Sequence, residues 1–216
     1  MTRDRVTDLT RRDLLIGAGA LAGAATLATA RGRAHAAATV GQPAPPFTAP
    51  ATNGGNVSLA DHRGKIVVLE WTNHECPYVR KHYETGNMQA LQKEARGKDV
   101  VWLTVISSAP GEQGHVTASR ADELTRTRQA APTAVLLDPR GTVGRLYDAK
   151  VTPHMYVIDA KGVLMYAGAI DDRPTSRRAD VQTAHNYVRV ALEAVMAGQP
   201  VKTPVTRAYG CTVKYP

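Results

Sequence analysis

Ile66-Val67-Val68-Leu69-Glu70-Trp71-Thr72-Asn73-His74-Glu75-Cys76-Pro77-Tyr78-Val79 is the stretch that decides the fold. A run rich in β-branched and large apolar residues over 66–71 predicts a buried central strand. Pro77 fits the first position of a helix, where its missing N–H costs nothing. Cys76 is therefore expected at the seam between the C-terminal end of a strand and the N-terminus of a helix. Unpaired N–H groups and the positive end of the helix dipole stabilise an anion there. A thiolate is such an anion, and this placement can lower a cysteine pKa from about 8.5 to roughly 3.5–7.5. The alternative is a small apolar cysteine buried for packing alone.

The chain has 216 residues, 43% of them hydrophobic and 21% charged, which suits one globular domain plus extensions. The net charge is +8, but six Arg and three Asp lie in residues 1–36, leaving 21 basic and 16 acidic residues, about +5, in the remainder. Those charges are scattered and form no basic stripe, which argues against a nucleic-acid partner.

Residues 1–36 carry the marks of an export signal. Thr10-Arg11-Arg12-Asp13-Leu14-Leu15 resembles the twin-arginine pattern S/T-R-R-x-F-L-K, with Leu14 in place of Phe and Ile16 in place of Lys. A Gly/Ala/Leu segment over 14–30 follows, and Ala34-His35-Ala36 makes an A-x-A cleavage signature. At 17 residues the segment is marginal for spanning a bilayer, so a cleaved signal is favoured over an anchor. The expected organisation is a twin-arginine signal over 1–36, a domain over 37–200 and a tail over 201–216 carrying Cys211. The mature chain would reside in the periplasm or be otherwise exported, with no membrane association after signal removal. In that oxidising compartment two cysteines, Cys76 and Cys211, suggest a pair.

Further along, Asn53-Gly54 signals a small hairpin joining 47–48 to 57–59. A helix from Cys76 is interrupted at Gly86, and Asn87 is read as the cap of its continuation to Gly97. Residues 100–106 form the second central strand. Ser119 and Asp122 read as a capping box for a helix through Gln129. Strands follow at 133–137, 155–158 and 163–167, with one or two helical turns at 143–147. Asp180 is read as the cap of a last helix with Val181, Ala184, Val188, Leu192 and Val195 on one stripe. Gly198 and Pro200 stop it. Alternating strands and helices argue an α/β sandwich around a mixed sheet.

This order and these residues resemble a thioredoxin-fold protein of the redoxin class, over about residues 40–215. The more specific similarity is to the peroxiredoxin-like, AhpC/TSA-related proteins with N-H-C-P-Y-V-K and a C-terminal G-C-x-x-K-Y/W. Here the pieces are Asn73-His74, Cys76-Pro77-Tyr78-Val79-Arg80 and Gly210-Cys211-Thr212-Val213-Lys214-Tyr215. Glu75 is an insertion relative to that pattern. The resemblance implies an α/β thioredoxin-like fold: a mixed central sheet with helices on both faces, an N-terminal hairpin and an inserted strand–helix unit around 133–137. It implies Cys76 as nucleophile, Cys211 as resolving thiol, and Thr152-Pro153 as the cis-proline element facing the cysteine. Thr152 would keep backbone groups free for an incoming substrate.

Two known signatures are missing. The second cysteine of C-x-x-C is replaced by Val79, and the peroxidase threonine three residues before the thiol is replaced by Asn73, with Thr72 one place away. The first reading is an exported thiol–disulfide oxidoreductase acting on protein thiols or disulfides, with no metal or cofactor; peroxide reduction is its alternative. A second reading is a Cu(I)-binding thioredoxin-fold chaperone using Cys76, Cys211 and His74 or His154. A third is a non-catalytic binding domain in which a Cys76–Cys211 bond only pins the tail. Closing a loop of about 135 residues that way would stabilise the fold by roughly 4–5 kcal/mol in the chain-entropy model. His74, His82 and His154 are candidate proton donors to the thiol, against a solvated or core role. Glu70 is expected either to shuttle protons with a raised pKa or to face solvent at the sheet's edge.

Overall fold

In a computed structural model, the structure describes residues 37–216. The export signal lies outside the described residues.

Strands β1 (Thr48–Pro50) and β2 (Asn56–Ser58) form the expected N-terminal hairpin. The central sheet has five strands: β3 (Val67–Trp71), β4 (Val101–Ile106), β5 (Ala134–Leu137), β7 (His154–Ile158) and β8 (Leu164–Gly168). Their spatial order is β5-β4-β3-β7-β8. β3 runs parallel to β4, and β4 to β5, whereas β3–β7 and β7–β8 are antiparallel, so the sheet is mixed. A separate two-stranded ribbon pairs β6 (Val151–Thr152) with β9 (Cys211–Thr212).

Because β3 is buried on both faces, it reads as a continuous apolar run rather than an alternating one. Val67, Leu69 and Trp71 point to one face, with Phe47 of the hairpin region and Val143 and Tyr147. The latter two belong to, or directly follow, helix α4 (Thr142–Leu146). Trp71 packs in an aromatic cluster with Tyr147 and Tyr156 at centroid distances of 5.6 and 5.1 Å. Val68 points to the other face, beneath α1 (Pro77–Glu84), α2 (Asn87–Gly97) and α5 (Tyr187–Met196), where Val79, Met88, Leu91, Val188 and Leu192 complete the layer. α3 (Ala118–Thr127) sets Ala121 over Ile106 and Val135 near the β5 edge. Helices thus cover both faces.

Three helix starts differ from the sequence reading. α2 is capped by Gly86, whose φ of +76° a residue with a side chain rarely adopts. Asn87 is the first helical residue, and its amide instead meets His82 Nδ1 at 2.9 Å. α3 begins two residues earlier than expected because the Thr117 hydroxyl accepts from the Arg120 N–H at 3.2 Å, placing Ser119 inside the helix. α5 begins at Tyr187, capped by Asn186, whose side chain accepts from the Arg189 N–H. Asp180 belongs to a preceding 3-10 segment, Arg178–Thr183, where its carboxylate is taken by Thr175 and Arg177.

Candidate functional site

Cys76 is the N-cap residue of α1, with Pro77 at the first helical position, as expected. Its backbone is extended, and its side chain makes no capping hydrogen bond. The thiol instead donates to the Thr152 carbonyl oxygen at 3.1 Å. Cys76 is completely buried. The Thr152–Pro153 peptide is cis, so the expected proline element stands opposite the cysteine.

The tail completes the site. Thr152 and Cys211 are directly opposed in the antiparallel β6–β9 ribbon. The Thr152 hydroxyl also donates to the Cys211 carbonyl at 3.4 Å. The backbone of Thr152, expected to be free for a substrate, is occupied by the protein's own tail. Cys211 is half-buried next to Cys76, and both are thiols. The Cys211 thiol is raised above its ordinary value, first by burial, then by the neighbouring Cys76 sulfur. A raised pKa keeps the proton on Cys211 at neutral pH, leaving it a weak competitor for the role of first nucleophile.

Glycines shape the seat of the tail. A Cβ on Gly168 would meet the Thr206 hydroxyl at 2.1 Å, and one on Gly144 would meet the Tyr215 hydroxyl at 2.3 Å. Tyr215 donates to the Ala149 carbonyl at 2.6 Å, and the Lys214 carbonyl accepts from the Ala109 N–H at 2.8 Å. Val213 is buried in the sheet face that holds Trp71.

Glu75 leaves the cysteine in place. Its carboxylate accepts from the Gly114 N–H at 2.7 Å, and its own N–H donates to the Asn73 side-chain oxygen at 2.9 Å. The loop before the thiol is thereby clamped to the loop after β4. Gly114 is needed there: its φ is +87°, and a Cβ would lie 2.4 Å from the Asn73 side chain.

The histidines are not gathered at the sulfurs. His154 bonds Tyr156 through Nδ1 at 3.1 Å, on the sheet face opposite Cys76, and burial lowers its pKa to about 4. His82 is fully buried on the inner side of α1, and burial, with Lys81 beside it, lowers its pKa to about 3. His74 is half-buried, its carbonyl accepting from Arg128 at 2.9 Å. Burial lowers the pKa of its side chain as well. Among the described residues, no three His, Cys, Asp or Glu side chains group as metal ligands. The copper reading therefore has two sulfurs but no third ligand beside them.

Glu70 does not lie at an edge. It is completely buried in the central strand, accepting from Tyr83 (2.7 Å), Trp102 (2.8 Å), Gln92 (3.1 Å) and Thr104 (3.1 Å). Burial raises its pKa, and the four donors partly offset that rise. Its partners come from α1, α2 and β4, which ties the helix layer to the sheet behind the thiol.

The sequence reading missed a second buried polar group beside the sulfurs. Lys81 of α1 is buried with Asp171, and its Nζ donates to the Tyr209 hydroxyl at 2.9 Å and to the Arg173 carbonyl at 2.8 Å. Tyr209 donates to Asp171, and His82 Nε2 lies 3.4 Å from the same hydroxyl. The available signal was Tyr209, which directly precedes Gly210-Cys211.

Known proteins share this fold. The chain is 29% identical over 143 residues to the thioredoxin-like protein YneN of Bacillus subtilis, covering 65% of this chain and 79% of that protein. A hypothetical protein of Sinorhizobium meliloti superimposes with a TM-score of 0.70 at 22% identity, covering 84% of this chain and 97% of the other. A Chlorobium tepidum protein assigned to the DsbE thiol:disulfide interchange class superimposes at 0.54 with 22% identity, covering 74% and 99%. The fold is thioredoxin-like. With a family model matching residues 40–167, spanning the helix-capping cysteine and the cis-proline that faces it, the chain belongs to the AhpC/TSA family.

Proposed function

We propose that the protein is an exported thiol–disulfide oxidoreductase in which Cys76 is the nucleophile and Cys211 resolves the mixed disulfide. The observation that carries this reading is the meeting of three elements at one point: the Cys76 thiol at the start of α1, the Thr152 carbonyl beside cis-Pro153, and the Cys211 thiol.

In the reducing direction, the Cys76 thiolate attacks one sulfur of a partner disulfide and expels the partner's second sulfur as a thiolate. Cys211 gives up its proton and attacks Cys76 Sγ. The partner's first sulfur leaves as a thiolate and is protonated. The partner gains two electrons, and the protein is left with a Cys76–Cys211 bond. The oxidising direction reverses each step. Cys76, at the N-terminus of α1, is the sulfur that attacks and leaves.

The family membership brings peroxide reduction into view, but the residue three places before the thiol is Asn73. Its side chain is already engaged by the Glu75 N–H and the Gln113 carbonyl. Disulfide exchange is therefore placed ahead of peroxide reduction.

The direct test is a trapping experiment. Reduced Cys211→Ser protein mixed with a protein disulfide should accumulate a mixed disulfide at Cys76, while the wild type clears it. Absence of both the adduct and any oxidation of the wild type would refute the reading. Export rests on the motif at residues 10–15. Changing Arg11 and Arg12 to Lys should strand the precursor in the cytoplasm, and normal export of that variant would refute a twin-arginine route. Among the described residues, no helix is long and apolar enough to cross a membrane.

A further inference from the structure

The two sulfurs are carried by α1 and by the tail, and the buried polar group ties those same two segments together. Lys81 lies five residues after Cys76, and Tyr209 lies two residues before Cys211. The Tyr209 ring packs edge-on against Tyr78 in the first turn of α1, with centroids 5.8 Å apart, and Lys81 Nζ lies 5.0 Å from its centroid. Its hydroxyl accepts from Lys81 and donates to Asp171. Asp171 is fixed in turn by the Arg173 N–H at 3.0 Å. Only the tail contributes a removable member, because α1 and the segment after β8 are both part of the packed domain.

We propose that Lys81, Asp171 and Tyr209 form a latch that positions Cys211 against Cys76 and holds the tail over the Thr152 edge, so that a large partner reaches Cys76 only when the latch opens. None of the three hydrogen-bonds to a sulfur; they are positioning residues. The consequence for exchange rests on the proposed oxidoreductase function. The latch itself is read from the placement of the groups.

Two further observations support it. Cys76 has no exposed surface, although a nucleophile meeting another protein must be reached. The strand that closes over it carries no large apolar anchor between Tyr209 and Val213, and Tyr209, Gly210 and Cys211 are each only half-buried. The outer side of that strand faces solvent. Beyond the β6–β9 pairing, the hold nearest Cys211 on the α1 side is the Tyr209 hydroxyl. Removing it leaves Lys81 and Asp171 paired but takes a bond from each.

The test uses the full mature chain with Tyr209→Phe, and Tyr215→Phe as a control at the far end of the tail. Two quantities are read. One is the rate at which iodoacetamide alkylates Cys76 in the reduced protein. The other is the equilibrium in which protein dithiol and glutathione disulfide give protein disulfide and two glutathione thiols. Tyr209→Phe should speed alkylation of Cys76 and lower the equilibrium constant, each by about tenfold or more, the scale expected for a lost hydrogen bond to buried charges. Tyr215→Phe should change neither by more than about twofold. If Tyr209→Phe folds and leaves both quantities unchanged, the latch is wrong.

A measurement on the wild type keeps the proposal exposed should that variant lose its fold. Alkylation of Cys76 should saturate with reagent at the opening rate of the Val213 amide, seen by hydrogen exchange. A rate that climbs linearly to that of an exposed thiol would overturn the latch. The two readings also fail separately. Cys76 exposed by Tyr209→Phe in a protein that never exchanges disulfides would refute the proposed function alone, and active exchange indifferent to Tyr209 would refute the latch alone.

Discussion

A Cβ on Gly210 would lie 1.9 Å from the Thr152 carbonyl oxygen, the same oxygen that accepts the Cys76 thiol at 3.1 Å. One backbone atom therefore touches both halves of the site, and the tail can approach it only because residue 210 has no side chain. The φ of Gly210, +142°, is a second barrier to any other residue.

Gly210→Ala should accordingly lift Cys211 from Thr152 without disturbing the sheet. The expected outcome is a fall of about tenfold or more in the equilibrium yield of the Cys76–Cys211 bond in a glutathione buffer, through lost effective concentration. The urea midpoint of the reduced protein should stay near that of the wild type. An unchanged yield would mean that the tail holds Cys211 in place without this close approach.

Glu70 makes the second prediction. Removing its carboxylate by Glu70→Ala leaves the donors of Tyr83, Trp102, Gln92 and Thr104 facing a cavity, and should cost about 3–5 kcal/mol in urea unfolding. Trp102 donates directly to this carboxylate, so its fluorescence should titrate with a midpoint above the ordinary 4.5, because burial disfavours the charged form. A folded pKa above the unfolded one means that Glu70 lends stability at low pH and loses it as pH rises through the folded value. A midpoint at or below 4.5 would contradict the burial argument.

The core histidines act with the opposite sign. His154 falls from the ordinary 6.5 to about 4 through burial. The unfolded chain then takes up a proton between those values that the folded protein refuses. Stability is complete above pH 6.5 and declines as pH falls toward about 4, by about 1.4 kcal/mol per pH unit for each such histidine. His154→Gln should flatten the pH dependence of unfolding by that one-proton slope. Taking the difference from wild type cancels the opposing effect of Glu70. A difference that does not vary with pH would show His154 protonated in the fold.

The parts of this fold that were legible in the sequence are those decided locally. The strand over 66–71, the proline at the helix start and the cysteine between them need only near neighbours, and they stand where expected. The caps at Ser119 and Asp180 were misread because a Ser or Asp followed by a turn of helix formers competes with equal local chemistry nearby; Thr117 and Asn186 won through the packing of α3 and α5. Glu70 could not be placed, since its four donors come from three other elements. Lys81 has the same difficulty: an ordinary helical lysine in the sequence, it is buried only because Asp171, some 90 residues on, and Tyr209, a further 38 on, converge there.

The last prediction concerns the oxidant. Peroxide is small enough to reach a thiol that a protein disulfide cannot, so the complete burial of Cys76 alone would favour it. Against this, the orienting hydroxyl three residues upstream is absent, and a missing preorganised donor commonly costs on the order of 10²–10³ in rate. Thr72 does not replace it: its buried hydroxyl lacks a hydrogen-bond partner among the described residues, and it lines a cavity with His74, Thr104 and Arg128 that does not reach Cys76. The two effects separate in the latch variant. Opening the tail by Tyr209→Phe should accelerate oxidation by a bulky disulfide far more than oxidation by hydrogen peroxide, whose slow step is chemical rather than steric. Stopped-flow rates for both oxidants on wild type and variant decide the matter. Wild-type protein should react faster with a small disulfide than with peroxide, and the variant should widen that gap for larger disulfides. If peroxide reacts orders of magnitude faster in the wild type, the protein is a thiol peroxidase, and the missing hydroxyl has been replaced by a group elsewhere in the site.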